Sequence, residues 1–181
     1  MIEAYIGLGS NLGDRMGNLA AAIERLSREP GFTLRRVSVA YETAPVGPPQ
    51  PGYLNAAAQV GTLLSPRATL SRLRAIEEAL GRVRRERWGS REIDLDLLLY
   101  GDRAIDETGL QVPHPLLAQR AFALEPLCEI APDAWHPVRQ MTVAELRDRL
   151  PPGERAQVRP WRPIRRSLTP PEPEGEPPKP E

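Results

Sequence analysis

Two features of the sequence predict an α+β domain. Runs that alternate apolar and polar residues change to runs with apolar residues every three or four positions, in the order strand, helix, strand, strand, helix, strand. Shorter helical runs follow this order towards the C-terminus. Helices that cover one face of a largely antiparallel sheet form a ferredoxin-like architecture. We therefore expect a βαββαβ sheet with helices on one face, plus short C-terminal helices and a disordered tail.

The two long helices have recognisable ends. Asp14 can cap a first helix that stops before Pro30, and Ser65 can cap a second helix whose first-turn residue is Pro66. Gly81 ends that second helix. The remaining first part of the chain divides into four strands and one Pro/Gly-rich loop, at residues 2–9, 32–43, 53–64, 92–100 and 44–52.

The C-terminal part predicts short helices and then a tail. Residues 115–130 read as one or two helices interrupted at Pro126, and Thr142 with Glu145 forms a capping-box pattern for a last one. Residues 151–181 hold ten prolines, five Glu and six Lys or Arg, with few aliphatic residues. Such a segment buries too little apolar surface to fold. We expect one catalytic domain over 1–150 and a disordered tail over 151–181.

The charged residues exclude several kinds of chemistry. Of 24 basic residues 23 are Arg, and Lys179 is the only Lys. P-loop NTPases, protein kinases and Schiff-base enzymes each need a lysine in the folded domain. Without the tail, 18 basic and 19 acidic residues remain. That near-neutral balance argues against binding of nucleic acid or of a membrane surface.

Cysteine and histidine are too few for a disulfide framework or a metal cage. Cys128 is the only cysteine, and His114 and His136 are the only histidines. The N-terminus enters an apolar strand directly, with no basic stretch before a long hydrophobic segment. We expect a cytoplasmic protein without a signal peptide.

An acidic pair lies on the predicted strand at 92–100. Side chains alternate along a strand, so Asp94 and Asp96 should share one face while Ile93, Leu95 and Leu97 share the other. Hard oxygen ligands of this kind suit Mg²⁺. A solvated acidic strand face is the alternative.

Five arginines precede the acidic pair, at positions 82, 84, 85, 87 and 91. Metal ions on some oxygens and bidentate arginines on others would bind a nucleotide polyphosphate. Trp88 and Gly89 within the segment suggest a lid over a bound ring. A solvated charge run is the alternative.

Three further segments have residues that could bind a ligand. Residues 7–13 resemble a dinucleotide-binding turn, but the third glycine is one position late, so a simple turn is the better interpretation. Tyr53 and Asn55 could supply a stacking ring and an amide, or could belong to an ordinary strand. His114 lies between two prolines, where a ligand contact and a plain turn are both compatible with the pattern.

Taken together, these segments resemble the 6-hydroxymethyl-7,8-dihydropterin pyrophosphokinase family. The strongest match is RWGSREIDLDLL at 87–98. The other matches follow the family's order through about residues 2–149, as GSNLG at 9–13, YLNA at 53–56, GRVR at 81–84, VPHP at 112–115, RAF at 120–122 and LCEIAP at 127–132.

The resemblance implies a monomer that transfers the β,γ-diphosphate of ATP to the hydroxymethyl group of the pterin and releases AMP. By this resemblance, two Mg²⁺ ions are held by Asp94 and Asp96. Phosphate binding or lid closure would fall to Arg82, Arg84, Arg87 and Arg91. Arg120 would approach the phosphates or the pterin, and the nucleotide side would include Glu77 and His114. The pterin would contact Thr43, Val46, Tyr53, Asn55 and Phe122.

Two other functions remain open from the residues alone. A different two-metal phosphotransferase could use the same aspartates and arginines on another acceptor. An RNA-binding ferredoxin-like module would also display clustered arginines. The near-neutral domain and the acidic pair argue against the RNA-binding module.

Overall fold

The computed structural model describes residues 1–43, 52–81 and 92–165. Among these residues, no helix combines the length and the apolar character that a membrane span requires. The elements in chain order are β1 (Ile2–Ser10), α1 (Arg15–Arg28), β2 (Phe32–Val37), β3 (Ala40–Thr43), β4 (Tyr53–Thr62), α2 (Pro66–Ala79), β5 (Asp94–Tyr100), β6 (Ile105–Glu107), β7 (Leu110–Val112), a 3₁₀ turn (Leu117–Gln119), α3 (Ala121–Ile130), β8 (Trp135–His136), β9 (Met141–Thr142), α4 (Val143–Asp148), α5 (Pro152–Arg155) and β10 (Val158–Arg162).

The main sheet is antiparallel throughout. Its strands lie in the order β10-β3-β4-β1-β5, and β2 pairs with the other half of β4. Two hairpins, β6–β7 and β8–β9, lie outside it. The prediction of an α+β domain built on an antiparallel sheet is confirmed. The strand β5, which carries the acidic pair, is an edge strand of this sheet.

The predicted strand at 32–43 is broken in two, because Ser38 interrupts the ladder. Ser38 is buried, its Oγ accepts a hydrogen bond from the Ala57 amide at 2.9 Å, and it donates to the Val39 carbonyl at 2.8 Å. The Val39 amide donates to the carboxylate of Glu129 on α3 at 3.1 Å. Side chains therefore replace the strand hydrogen bonds at the break between β2 and β3.

The predicted helix caps are confirmed. The side chains of Asp14 and Ser65 each accept a hydrogen bond from the amide three residues later, at 2.9 and 3.2 Å. Thr142 and Glu145 form both hydrogen bonds of a capping box. These caps satisfy amides that a helix leaves without a partner in its first turn.

Helices cover both faces of the sheet, which corrects the expectation of one covered face. One apolar cluster packs α1 and α2 on one face, and a second cluster packs α3 and α4 on the other. The second cluster includes Leu124 and Leu127 of α3. The expected interruption at Pro126 was also wrong, since α3 runs through this residue. A proline removes a single helical hydrogen bond, and burial of the apolar side of α3 offsets that loss.

The C-terminal segment is partly ordered, so the expectation of a disordered tail from residue 151 fails for its first part. The strand β10 pairs with β3, with Val158 opposite Thr43. Arg155 of α5 forms an ion pair with Glu125 of α3 at 2.8 Å. β10 contains Pro160, and a proline is tolerated on an edge strand, where its missing amide faces no partner. The domain therefore extends beyond residue 150, and residues 166–181 lie outside the described part.

Candidate active site

The acidic pair lies on the edge strand β5 and faces the α3 side of the sheet. Asp94 is opposite Gly9 and Asp96 is opposite Gly7 on β1. Leu95 and Leu97 are buried in the cluster beneath α1 and α2, as the alternation predicts. Asp94 and Asp96 themselves are half-buried. Both carboxylates therefore reach a partly desolvated surface instead of the core.

Glu77 of α2 supports the segment of β5 between the two aspartates through a hydrogen bond to its backbone. Its side chain is only 3% exposed, and its Oε1 accepts a hydrogen bond of 2.7 Å from the amide of Leu95. An edge strand has no neighbour on its outer side, so this carboxylate replaces the missing strand partner. The resemblance implies the nucleotide side of the site for Glu77, but this residue does not line the cleft along β5.

A second group of predicted residues lies in the same row of the sheet as the acidic pair. Asn55 on β4 and Asp94 on β5 are both opposite Gly9 on β1, so the three positions cross three adjacent strands on one face. Neighbouring strands lie about 4.8 Å apart, which puts the Asn55 and Asp94 backbones roughly 10 Å from each other. Asn55 Nδ2 donates to Thr43 Oγ1 at 2.8 Å within the buried interior.

Gly9 leaves room for the amide of Asn55. A Cβ atom at this position would lie 3.3 Å from Asn55 Oδ1 and 4.0 Å from Cδ1 of Tyr53. The absence of a side chain at Gly9 therefore lets the Asn55 and Tyr53 side chains lie over β1. This close approach gives the GSNLG turn a role at the site that its turn geometry alone does not indicate.

The start of α3 brings three more predicted residues to this face. The His114 amide donates to the Leu98 carbonyl at 2.9 Å, which ties the segment before α3 to β5. The guanidinium carbon of Arg120 lies 5.4 Å from the ring centre of Phe122. A cation at this distance interacts favourably with the face of the ring. Arg120 and Phe122 therefore form one cationic and aromatic group at the start of α3.

The pKa of His114 depends on its burial and on the charged groups around it. Burial lowers the pKa of His114, and the nearby Arg120 guanidinium lowers it further, whereas Asp96 and Asp94 act in the opposite direction on the same pKa. Burial dominates, so the neutral imidazole is favoured. Arg120 and the two aspartates thus each lie within electrostatic reach of His114.

The stability of the protein should depend on pH through both of its histidines. His114 and His136 each accept a backbone amide hydrogen bond at Nδ1, from Leu116 and Arg139, and burial lowers the pKa of both imidazoles. The histidines of the unfolded chain then bind protons more readily than those of the folded protein. Their contribution to stability is therefore fully present above the unfolded histidine pKa of about 6.5 and is lost as the pH falls below it. We expect the free energy of unfolding, measured in urea, to decrease between pH 7.5 and pH 5.5.

The variant His136→Asn provides the check on this pH dependence, because its Oδ1 can still accept the Arg139 amide but does not titrate. The decrease should be smaller in this variant than in the wild type. Equal pH dependence in the two proteins would contradict the assignment.

A cleft of about 730 Å³ runs along the edge strand β5. Its size is within the usual range for small-molecule sites. The predicted residues Asp96 and His114 line it, and Leu70 and Arg74 of α2 form one of its sides. The opposite side is the β6–β7 hairpin, which contributes residues 106–111.

The sequence did not single out Arg74 or the β6–β7 hairpin. Arg74 lies four positions after Leu70 and three before Glu77, so helical spacing alone could have placed it on the same side of α2 as these residues. The hairpin gave no comparable signal, because its strands are three residues each.

The remaining predicted site residues lie outside the described part of the chain. These are Val46 of the Pro/Gly-rich loop and five residues of the arginine-rich segment, Arg82, Arg84, Arg87, Trp88 and Arg91.

An acidic pair therefore lies beside a cleft of small-molecule size on an antiparallel α+β sheet. The chain belongs to the 7,8-dihydro-6-hydroxymethylpterin-pyrophosphokinase family, whose sequence model matches residues 5–132. The resemblance stated from the motifs is therefore confirmed.

Relatives of known name support this membership. The chain is 43% identical over 143 residues to the 2-amino-4-hydroxy-6-hydroxymethyldihydropteridine pyrophosphokinase of Synechocystis sp.. The aligned part covers 79% of this chain and 73% of the relative. It is 46% identical over 134 residues to the protein of the same name from Methylorubrum extorquens. Here the aligned part covers 74% of this chain and 85% of the relative.

Solved structures of low identity share the fold. A Plasmodium falciparum HPPK-DHPS chain superimposes with a TM-score of 0.65 at 14% identity, over 81% of this chain and 44% of that one. An HPPK-DHPS in complex with substrates gives a TM-score of 0.67, over 81% of this chain and 43% of that one. The chain thus spans less than half of these solved proteins, and the likeness bears on the fold alone.

Proposed function

We propose that this chain transfers the diphosphate of ATP to the hydroxymethyl group of 6-hydroxymethyl-7,8-dihydropterin, releasing AMP, in folate biosynthesis. Family membership supports the activity. The observation that carries the assignment of the site is the row of Asn55, Gly9 and Asp94 across three strands. The amide of Asn55, which can bind the edge of a heterocycle, and the acidic pair thus share one face of the sheet.

The pterin end of the site is assigned to the residues around Asn55. Its amide is held by Thr43 and can present both a donor and an acceptor to the edge of a heterocycle. Tyr53 on β4 and Phe122 on α3 supply aromatic rings, whose faces suit a flat ring system. Val46, outside the described residues, belongs to the same proposal.

The acidic pair fits Mg²⁺. Among the described residues, no three side chains of His, Cys, Asp or Glu form a metal cluster. Mg²⁺ is commonly bound by one or two carboxylates together with substrate phosphates, so a pair of half-buried aspartates matches its needs. Asp94 and Asp96 would hold two Mg²⁺ ions. Bound Mg²⁺ would neutralise charge on the phosphate oxygens.

The ATP end is assigned to the cleft along β5. Asp96 and His114 border it, and Arg120 lies near enough to His114 to lower its pKa. We assign Arg120 to the phosphates and the cleft between α2 and the β6–β7 hairpin to the nucleoside. The arginines at 82, 84, 87 and 91, together with Trp88, complete this end in the proposal.

The chemistry requires positioning and charge neutralisation more than a reactive side chain. The hydroxymethyl oxygen attacks the β-phosphorus of ATP and releases its proton to solvent. The bond from that phosphorus to the α,β-bridging oxygen breaks with its electron pair on that oxygen, so AMP leaves. Asn55 and the aromatic rings orient the acceptor. Arg120 and the other arginines stabilise the charge on the transferred group. Glu77 acts indirectly, since it holds the strand segment between the two aspartates.

The fold is assigned to the ferredoxin-like type, and the chain to a monomer. If β2 and β3 count as one interrupted strand, then β1, α1, β2/β3, β4, α2 and β5 follow the βαββαβ order. Both substrate ends lie on elements of a single chain, so the proposed site needs no second copy.

The test of this function is an analysis of products. Purified protein with Mg²⁺, ATP and 6-hydroxymethyl-7,8-dihydropterin should form AMP and the pterin diphosphate in equal amounts. Omission of the pterin should abolish AMP formation. ADP as the only nucleotide product would indicate a phosphotransferase of another kind, and no turnover would reject the proposal.

A further inference from the structure

The side chain of Arg15 connects the N-terminus of α1 to the start of β4. Its Nη1 donates to the carbonyl of Gly52 at 2.7 Å. Gly52 immediately precedes Tyr53, and Asn55 follows two residues later. A hydrogen bond from a charged donor is stronger than one between neutral groups. Arg15 thus fixes the backbone from which both proposed pterin-binding side chains extend.

The same guanidinium contacts two further strands. Its Nη1 lies 3.6 Å from a carboxylate oxygen of Glu42 on β3, and its central carbon lies 5.3 Å from the ring centre of Trp161 on β10. The guanidinium carbon of Arg162 lies 5.5 Å from the same ring. Arg15 is therefore held by an acidic group and an aromatic ring while it binds the Gly52 carbonyl.

The backbone that carries Arg15 is itself fixed. Asp14 caps α1, and Asn18 of the first turn donates through Nδ2 to Ser10 Oγ at 3.1 Å and to the Leu12 carbonyl at 3.0 Å. The position of Arg15 relative to the end of β1 is therefore set locally. Its hydrogen bond to Gly52 transmits that position to β4.

The aromatic partner comes from a segment beyond the matched family region. The family model ends at residue 132, whereas β10 covers Val158–Arg162. The α5 segment before β10 is tied to α3 through Arg155 and Glu125 at 2.8 Å. This ion pair fixes the start of the C-terminal segment. The strand that follows it places Trp161 against the guanidinium of Arg15.

We infer that Arg15 is a positioning residue for the pterin, held in place by Trp161 of the C-terminal strand. The inference rests on the proposed function, in which Tyr53 and Asn55 bind the pterin. Loss of the Gly52 hydrogen bond should disturb the pterin end of the site and leave the cleft along β5 intact, because the cleft is built from α2, β5 and the β6–β7 hairpin.

The decisive comparison is between Arg15→Met and Arg28→Met in the full chain. Arg28 lies on the same helix and forms an exposed ion pair with Glu24 at 2.7 Å, far along the helix from Gly52. We expect Arg15→Met to raise the KM for the pterin about ten-fold, with the KM for ATP and kcat within about two-fold of the wild type. Arg28→Met should match the wild type in all three constants.

Two further variants separate positioning from a general loss of structure. Arg15→Lys keeps a charged donor for Gly52, so its KM for the pterin should lie between those of the wild type and Arg15→Met. Trp161→Leu should raise the pterin KM in the same direction and by a smaller factor. If Arg15→Met does not fold, an unchanged pterin KM in Trp161→Leu overturns the inference.

The outcomes distinguish this inference from the proposed function. A wild-type protein that forms no AMP rejects the proposed function, and the inference falls with it. A wild-type protein that forms AMP, together with an Arg15→Met variant of wild-type pterin KM, rejects the inference alone. An equal rise in both KM values would also reject it, because it would indicate a general structural effect.

Discussion

Replacement of Asp96 by Asn is expected to lower kcat by about 10³-fold while the protein remains folded. The substitution removes one negative charge from the acidic pair and keeps the size of the side chain. Asp96 lines the cleft and faces away from the core, so its carboxylate is not needed for core packing. The same substitution at Asp94 should have a similar effect, since both lie on one face of β5.

The matched control for these variants is Asp102→Asn. Asp102 is exposed in the turn directly after β5, so the substitution removes a charge from the same part of the chain without touching the proposed site. Product formation should be measured by steady-state kinetics, and folding by thermal unfolding. A large fall in melting temperature in Asp94→Asn or Asp96→Asn would contradict the account, because it would assign these side chains a structural role.

Replacement of Glu77 by Ala is expected to lower both stability and activity. It leaves the buried amide of Leu95 without its acceptor, which should cost about 2 kcal/mol of unfolding free energy. It also releases the strand segment between the two aspartates. Because a displacement of about 1 Å at a reacting group can cost about 100-fold in rate, we expect kcat to fall by about 100-fold.

Glu77→Gln and Glu78→Ala are the controls for this prediction. The amide oxygen of Gln can still accept the Leu95 hydrogen bond, so Glu77→Gln should keep most of the stability. Glu78 is the exposed neighbour on α2 and should tolerate alanine in both measurements. Urea unfolding and steady-state kinetics are the two assays. A Glu77→Ala protein of wild-type stability would refute the supporting role of this carboxylate.

The local features of the fold and site could be predicted from the sequence because short-range geometry determines them. Side chains alternate along any strand, so the orientation of Asp94 and Asp96 follows from the pattern of leucines between and beside them. The caps at Asp14 and Ser65 depend on amides only three residues away. Such contacts persist in almost any tertiary arrangement.

The features that were missed depend on contacts between distant parts of the chain. The break at Ser38 requires Ala57 on β4 and Glu129 on α3, and neither position is visible from the strand pattern at 32–43. The strand β10 lies in a proline-rich segment whose composition is typical of disorder, yet it pairs with β3. Composition describes the average tendency of a segment, whereas a neighbouring strand edge decides its structure.

The placement of Glu77 illustrates the same limit at the site. Glu77 is buried on α2 together with Ile76 and with Leu73, which lies four residues before Glu77 along the helix. Its actual partner, the amide of Leu95, became apparent only when α2 was packed beside the edge strand. The resemblance therefore pointed to Glu77, and only the fold identifies its contact with Leu95.

The most direct test of the central claim follows the β-phosphorus of ATP. The protein is incubated with Mg²⁺, 6-hydroxymethyl-7,8-dihydropterin and ATP carrying ³²P at the β position, and the products are separated. We expect the label to leave the nucleotide and to appear in the pterin product, with unlabelled AMP formed in equal amount. Asp96→Asn should show almost no transfer. Label that remains in ADP, or a pterin product without label, would contradict it.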